Sequence, residues 1–169
     1  MKKLIIVLLA VFALGSAALA QGNSEKYAIG LRLGGGYGWG VGVMDNFNAN
    51  VEVSAMLGVG PKLNRIELDL GWRHWHFDCL GLYATYQWRW NIVKGLHWYV
   101  GPGAGVNFWF NAYNPVSLSI GGQVGLEYNF DFPLQLSLDI RPMIGIIDPW
   151  DNSNLWPDMS AAFGIRYRF

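Results

Sequence analysis

Residues 159–169 read Met-Ser-Ala-Ala-Phe-Gly-Ile-Arg-Tyr-Arg-Phe. Every second residue is apolar or aromatic. Met159, Ala161, Phe163, Ile165, Tyr167 and Phe169 fall on one face of an extended chain, and Ser160, Ala162, Gly164, Arg166 and Arg168 fall on the other. Successive side chains of a strand point to opposite faces, so this stretch describes a strand with one apolar and one polar face.

The same period of two runs upstream through 134–141, 116–130, 96–108, 80–90, 66–72 and 51–59. In each, the apolar parity is held by residues such as Leu136, Leu126, Trp98, Tyr86, Leu68 and Val53, and the polar parity by Ser137, Glu127, His97, Gln87, Glu67 and Ser54. Residues 27–43 alternate as well. A hairpin at Gly34-Gly35-Gly36 would split them, but the parity survives the glycines and favours one long strand. The total is then eight, and bacterial membrane barrels have even counts. Connections at 61–64, 91–95 and 131–133 are short, whereas 45–48, 74–78, 111–115 and 148–157 are longer and irregular. Short turns on one rim and long loops on the other suit an up-and-down barrel that crosses a membrane.

The start of the chain is a different kind of segment. Met1-Lys2-Lys3 is basic, 4–14 is an apolar run, and Ala18-Leu19-Ala20 fits a small-residue cleavage pattern. Residues 1–20 therefore read as a secretory signal peptide cut before Gln21, and 21–169 as the barrel domain. Without Lys2 and Lys3 the remainder has ten basic and twelve acidic residues. It has no Lys/Arg run, which argues against nucleic acid as a partner. The single Cys excludes an internal disulfide framework and a four-Cys zinc site. No later stretch is apolar for the roughly 18 residues a spanning helix needs.

Alternation leaves open which face is inside. A soluble lipocalin-like barrel buries its apolar face, and a membrane barrel exposes it. Here the apolar faces are rich in aromatics near their ends, the polar faces are rich in Gly, and the chain stops on an aromatic. All three favour an apolar exterior in lipid. The charges at polar parity then point into the lumen: Arg32, Arg65, Arg73, Arg89, Arg141 and Arg166 against Glu52, Glu67, Asp69, Glu127 and Asp139. Buried charges need partners, so a lumen-filling network is expected, with Arg141 and Arg166 within reach of Asp139 and Glu127.

These residues resemble a known family. The chain from 21 on looks like the small eight-stranded outer-membrane barrels of Gram-negative bacteria, OmpX-like and similar to the OmpA transmembrane domain. Gly164, Tyr167 and Phe169 match the C-terminal signal read by the barrel-assembly machinery, and 125–130 repeats its spacing. Ala162 departs from that pattern, which has a polar residue there. The resemblance implies an all-β transmembrane antiparallel up-and-down barrel in the cell outer membrane. It implies outer-membrane lipid as surroundings and the assembly machinery as a partner during biogenesis. Surface partners would meet the loops, where Trp75, Trp109, Tyr113, Trp150 and Trp156 are candidates.

Other chemistry is weakly signalled. His74, His76 and Asp78 suggest a metal or acid/base site, and Asp148, Asp151, Asn152 and Asp158 a cation site, yet polar rims and solvated loops account for both. A lipid-modifying enzyme needs a Ser beside a His base, and His97 has no Ser evident at its level. Cys79 reads as a small inward residue. The expectation is therefore no enzyme, no metal and no cofactor, with a narrow channel or a lipid-modifying enzyme as the alternatives to a closed, structural barrel. Deleting Phe169 is expected to lower the amount of folded, heat-modifiable protein in the outer membrane. Equal amounts with and without Phe169 would remove its role in assembly.

Overall fold

The computed structural model describes residues 26–38, 47–59, 64–73, 79–110, 115–146 and 155–169. The proposed signal peptide, His74, His76, Asp78, Asp148, Asp151 and Asn152 lie outside them. Eight strands follow in chain order: β1 (Tyr27–Gly38), β2 (Phe47–Gly58), β3 (Arg65–Arg73), β4 (Cys79–Val93), β5 (Leu96–Trp109), β6 (Val116–Asn129), β7 (Leu134–Gly145) and β8 (Trp156–Arg168). Each pairs antiparallel with its sequence neighbours, and β1 pairs with β8 to close the barrel. Up-and-down closure leaves no sheet edge, which a strand needs if its backbone is to be satisfied in lipid.

Register sets the barrel's dimensions. Stepping sideways from Ala28 leads through Met56, Glu67, Thr85, Gly103, Gly121, Met143 and Asp158, and returns to β1 at Gly38. The path closes ten residues along the strand from where it began. With about 3.3 Å per residue and about 4.8 Å between strands, that offset tilts the strands by about 40°.

The polarity is inverted relative to a soluble barrel. Arg32, Glu67, Asp69 and Gln87 are wholly inaccessible, while Leu138 is 61% exposed and Leu33, Leu70, Ile120, Ile140 and Phe163 also face outward. Such an exterior belongs in hydrocarbon, and the barrel is transmembrane. Its apolar band is bounded by aromatics at both ends. At the short-turn end Trp90 stacks on Trp98 at 4.6 Å and Tyr27 on Phe169 at 6.1 Å. At the other end Trp72 meets Phe110 at 6.0 Å. Trp98 and Phe108 are ten residues apart on β5. At the rise and tilt above that is about 25 Å along the axis, the height of the lipid-facing band in such barrels.

Glycines on the inner face seat large side chains. A Cβ at Gly125 would lie 2.5 Å from the Tyr99 hydroxyl, and one at Gly105 would enter the Tyr83 ring. Both rings thus lie against bare backbone. Gly34 to Gly36 sit within β1, paired to 48–50 on one side and 160–162 on the other, so no hairpin divides this strand.

Several boundaries differ from the sequence reading. β2 begins at Phe47, because Gly34 to Gly36 need partners. β4 continues to Val93 past a bulge near Asn91, and the turn is only Lys94-Gly95, with Gly95 at φ 81°. β7 passes through Pro142 to Gly145, and β8 begins at Trp156, just before Pro157. Proline ordinarily signals the end of a strand because it has no N–H to donate. Here the neighbouring pairs hold the strand on either side.

Ile140 lies midway along β7 on the outer face, and Ile140→Arg is expected to cost about 2–4 kcal/mol of stability in bilayers. The same change at Phe132, exposed in the β6–β7 turn, should cost about 0–1 kcal/mol. Urea unfolding in lipid vesicles measures both, and similar losses would mean the band is misplaced.

Candidate functional site: the charged lumen

The lumen is assembled by alternate residues of all eight strands. Arg32 on β1 donates Nη1 to Glu52 Oε2 at 2.6 Å and Nη2 to Asp139 Oδ1 at 2.5 Å, with Nε also directed at the Asp139 carboxylate. Glu52 lies 3.6 Å from Arg141 Nη1, whose Nη2 pairs with Asp69. Tyr99 donates to Asp139 Oδ2 at 3.2 Å. The Arg141 guanidinium sits 5.1 Å from the centre of the Tyr83 ring, and Tyr83 donates its hydroxyl to Asn107 Oδ1.

A second group surrounds Arg166, which pairs with Glu67, donates Nε to Ser54 Oγ at 2.9 Å and donates Nη1 to Ser137 Oγ at 2.6 Å. Ser54 in turn donates its hydroxyl to Glu67 Oε1 at 2.9 Å. Gln87 donates to Glu67 and to Gln123 Oε1, which also accepts from Thr85. Gly164 leaves room for the Arg166 guanidinium, since a Cβ there would stand 2.7 Å from Nη1. The third group is nearest the short turns. Glu127 receives Arg89 Nη1 at 2.8 Å and is ion-paired with Arg65, whose Nε donates to Gln87 Oε1 at 2.5 Å. Arg65 also lies 4.9 Å from the Tyr99 ring centre.

Ten of the eleven inward charges named from sequence thus lie in ion pairs, five Arg against five carboxylates. The eleventh, Arg73, ends β3 in register with Asn50 and Cys79. Its side chain is outside the description. The partners differ from the sequence reading. Asp139 goes to Arg32 rather than Arg141 or Arg166, and Glu127 goes to Arg65 and Arg89. The tilt explains this: a side chain reaching across the lumen meets a wall displaced along the axis. Arg166 and Glu67 are 99 residues apart in the chain.

The neutral members, Ser54, Thr85, Gln87, Tyr99, Gln123 and Ser137, were not singled out by sequence, although all have inward parity. Asp158, read as a loop residue, is instead a buried residue of β8. Pro157 had suggested a loop. Trp109, read as a loop aromatic, is buried at the end of β5 and donates to Ser117 Oγ at 2.9 Å. Trp156 lies in β8. Cys79 is fully buried. Tyr167 faces outward, and Phe169 donates its N–H to the Tyr27 carbonyl at 2.9 Å. Among the described residues no three His, Cys, Asp or Glu side chains are placed to hold a metal ion.

No protein-family model matches the chain, and no curated protein sequence matches it. Solved structures do. Neisserial surface protein A (NspA) has a TM-score of 0.64 at 13% identity, covering 88% of this chain and 100% of that one. The fold is that of the small eight-stranded outer-membrane barrels. A de novo designed transmembrane β-barrel is also similar, with a TM-score of 0.55 at 18% identity over 88% of this chain and 99% of that one. These identities show shared architecture. A barrel designed from first principles shares it too, so the architecture carries no task of its own.

Arg166→Met leaves Glu67 buried without its main countercharge and is expected to cost about 3–5 kcal/mol. Adding Glu67→Gln removes the orphaned charge, so the double variant should be more stable than Arg166→Met alone. Unfolding in vesicles reads the cycle. Additive losses would show that the two side chains do not interact.

Proposed function

We propose that this chain is a small integral outer-membrane protein whose barrel is closed to solutes and which catalyses no reaction. Its role is structural, or is carried by the long-loop end meeting partners at the cell surface. The observation supporting closure is the interlocking of five Arg and five carboxylates from seven of the eight strands. An eight-stranded barrel encloses a space just wide enough for side chains to fill. A porin of 16 strands would leave about nine residues for each strand and its connection, too few when a spanning strand alone takes about 9–11. Export by residues 1–20 and assembly through Phe169 belong to the same reading.

Two measurements test it. Membrane fractionation with a heat-modifiability gel should place the folded protein in the outer membrane, and recovery in the soluble fraction would refute the location. Planar-bilayer recording of purified protein should give no stable channels. Reproducible conductance of porin size would overturn closure and favour transport.

A further inference from the structure

The ion-paired residues of the lumen balance as a set, five Arg against five carboxylates, but not group by group. Deep in the barrel Arg32, Arg141 and Arg166 face Glu52, Glu67, Asp69 and Asp139, an excess of one negative charge. At the short-turn mouth the ion pairs of Arg65 and Arg89 both go to Glu127, two cations to one carboxylate. Both Glu127 oxygens are ion-paired, Oε1 with Arg89 and Oε2 with Arg65. Glu67, the nearest deep carboxylate in sequence, is held by Arg166, Ser54 and Gln87. Arg168 is occupied differently, donating Nη2 to the Phe130 and Phe132 carbonyls.

The mouth also has an unused donor on Arg89 and a ring nitrogen of His97 without a partner. The Arg89 side chain is 9% exposed, and its Nε has no hydrogen-bond acceptor. His97 presents Nδ1 to Glu127 Oε1 at 3.9 Å, too far for a hydrogen bond. A buried guanidinium lacking a full countercharge is costly, and the chemistry that completes it is an oxyanion offering several acceptor oxygens.

The site's height narrows the source. Arg89 pairs with Tyr99, Trp90 with Trp98 and Asn91 with His97 along one hairpin. The basic residues therefore alternate, residue by residue, with the stacked Trp90 and Trp98. Stacked tryptophans of a belt lie at the level of lipid headgroups.

We propose that the short-turn mouth of the lumen is an oxyanion site, in which Arg89 and His97 grip a phosphate-type group and Arg65 supplies charge from behind. The group is free phosphate or the phosphate of an anionic lipid at the rim. The donors are the same for both, and the test separates them.

Purified full-length barrel in neutral detergent is unfolded by urea with increasing inorganic phosphate, chloride holding the ionic strength constant. In parallel it is unfolded in vesicles of phosphatidylcholine with and without phosphatidylglycerol. Phosphate at ten times its dissociation constant should raise the folding equilibrium constant about tenfold. Arg89→Gln should remain a heat-modifiable barrel, because Arg65 still pairs with Glu127, and should lose the response. His97→Gln is the second variant and should weaken it. A response to inorganic phosphate assigns a free anion, and a response to phosphatidylglycerol alone assigns the headgroup. No response to either, or an equal response in the wild type and both variants, overturns the proposal.

Discussion

Among the described residues ten ion-paired side chains share the interior of a barrel eight strands around, and each had to leave water to get there. Removing an ion from water costs several kcal/mol unless a countercharge and hydrogen bonds replace the solvent. That demand fixes much else. It requires a countercharge within reach of each ion, and it requires register, because a strand slipped by one residue would turn its charges into lipid. It also brings in Ser54, Ser137 and Gln87, which hydrogen-bond ion-paired side chains, and Gln123, which accepts from Gln87. Arg32 alone joins β1, β2 and β7.

The outer surface answers to the opposite demand. With no water in the hydrocarbon, every backbone group must be satisfied by a neighbouring strand, and closure of β8 onto β1 completes the set. Aliphatic residues fill the middle of the band, and stacked aromatics mark its ends. The inner glycines connect the two surfaces. Gly105 and Gly125 let the Tyr83 and Tyr99 rings lie on the wall, where they pack beside Arg141 and Arg65 without widening the barrel. Aromatic rings thus serve lipid outside and cations inside.

The barrel's resemblance to NspA and to a designed barrel is one of architecture. Two further features lie at the mouths. At one end Trp109 and Asp158 are drawn into the wall. At the other a guanidinium-rich cluster sits beside the belt tryptophans. A task carried by either mouth would leave the charged middle of the barrel as scaffold.

The period of two was enough to establish the strands and their two faces, because alternation is a local property of an extended chain; it did not by itself say which face is inside, and it left Asp158 off the list of inward charges. It was enough to keep Gly34 to Gly36 within one strand. It misjudged the ends of β2, β7 and β8, where Pro142 and Pro157 or a short polar run interrupt the signal although the neighbouring strand keeps the pairing. It could not assign partners. Asp139 and Arg141 are neighbours in sequence, yet Asp139 is held by Arg32 and Arg141 by Asp69. Which charges meet depends on a stagger of ten residues around the barrel. That stagger is the sum of eight registers and is written in no single segment. The same sum places Arg65, Arg89 and His97 around one carboxylate, an imbalance invisible in a chain whose inward charges nearly cancel.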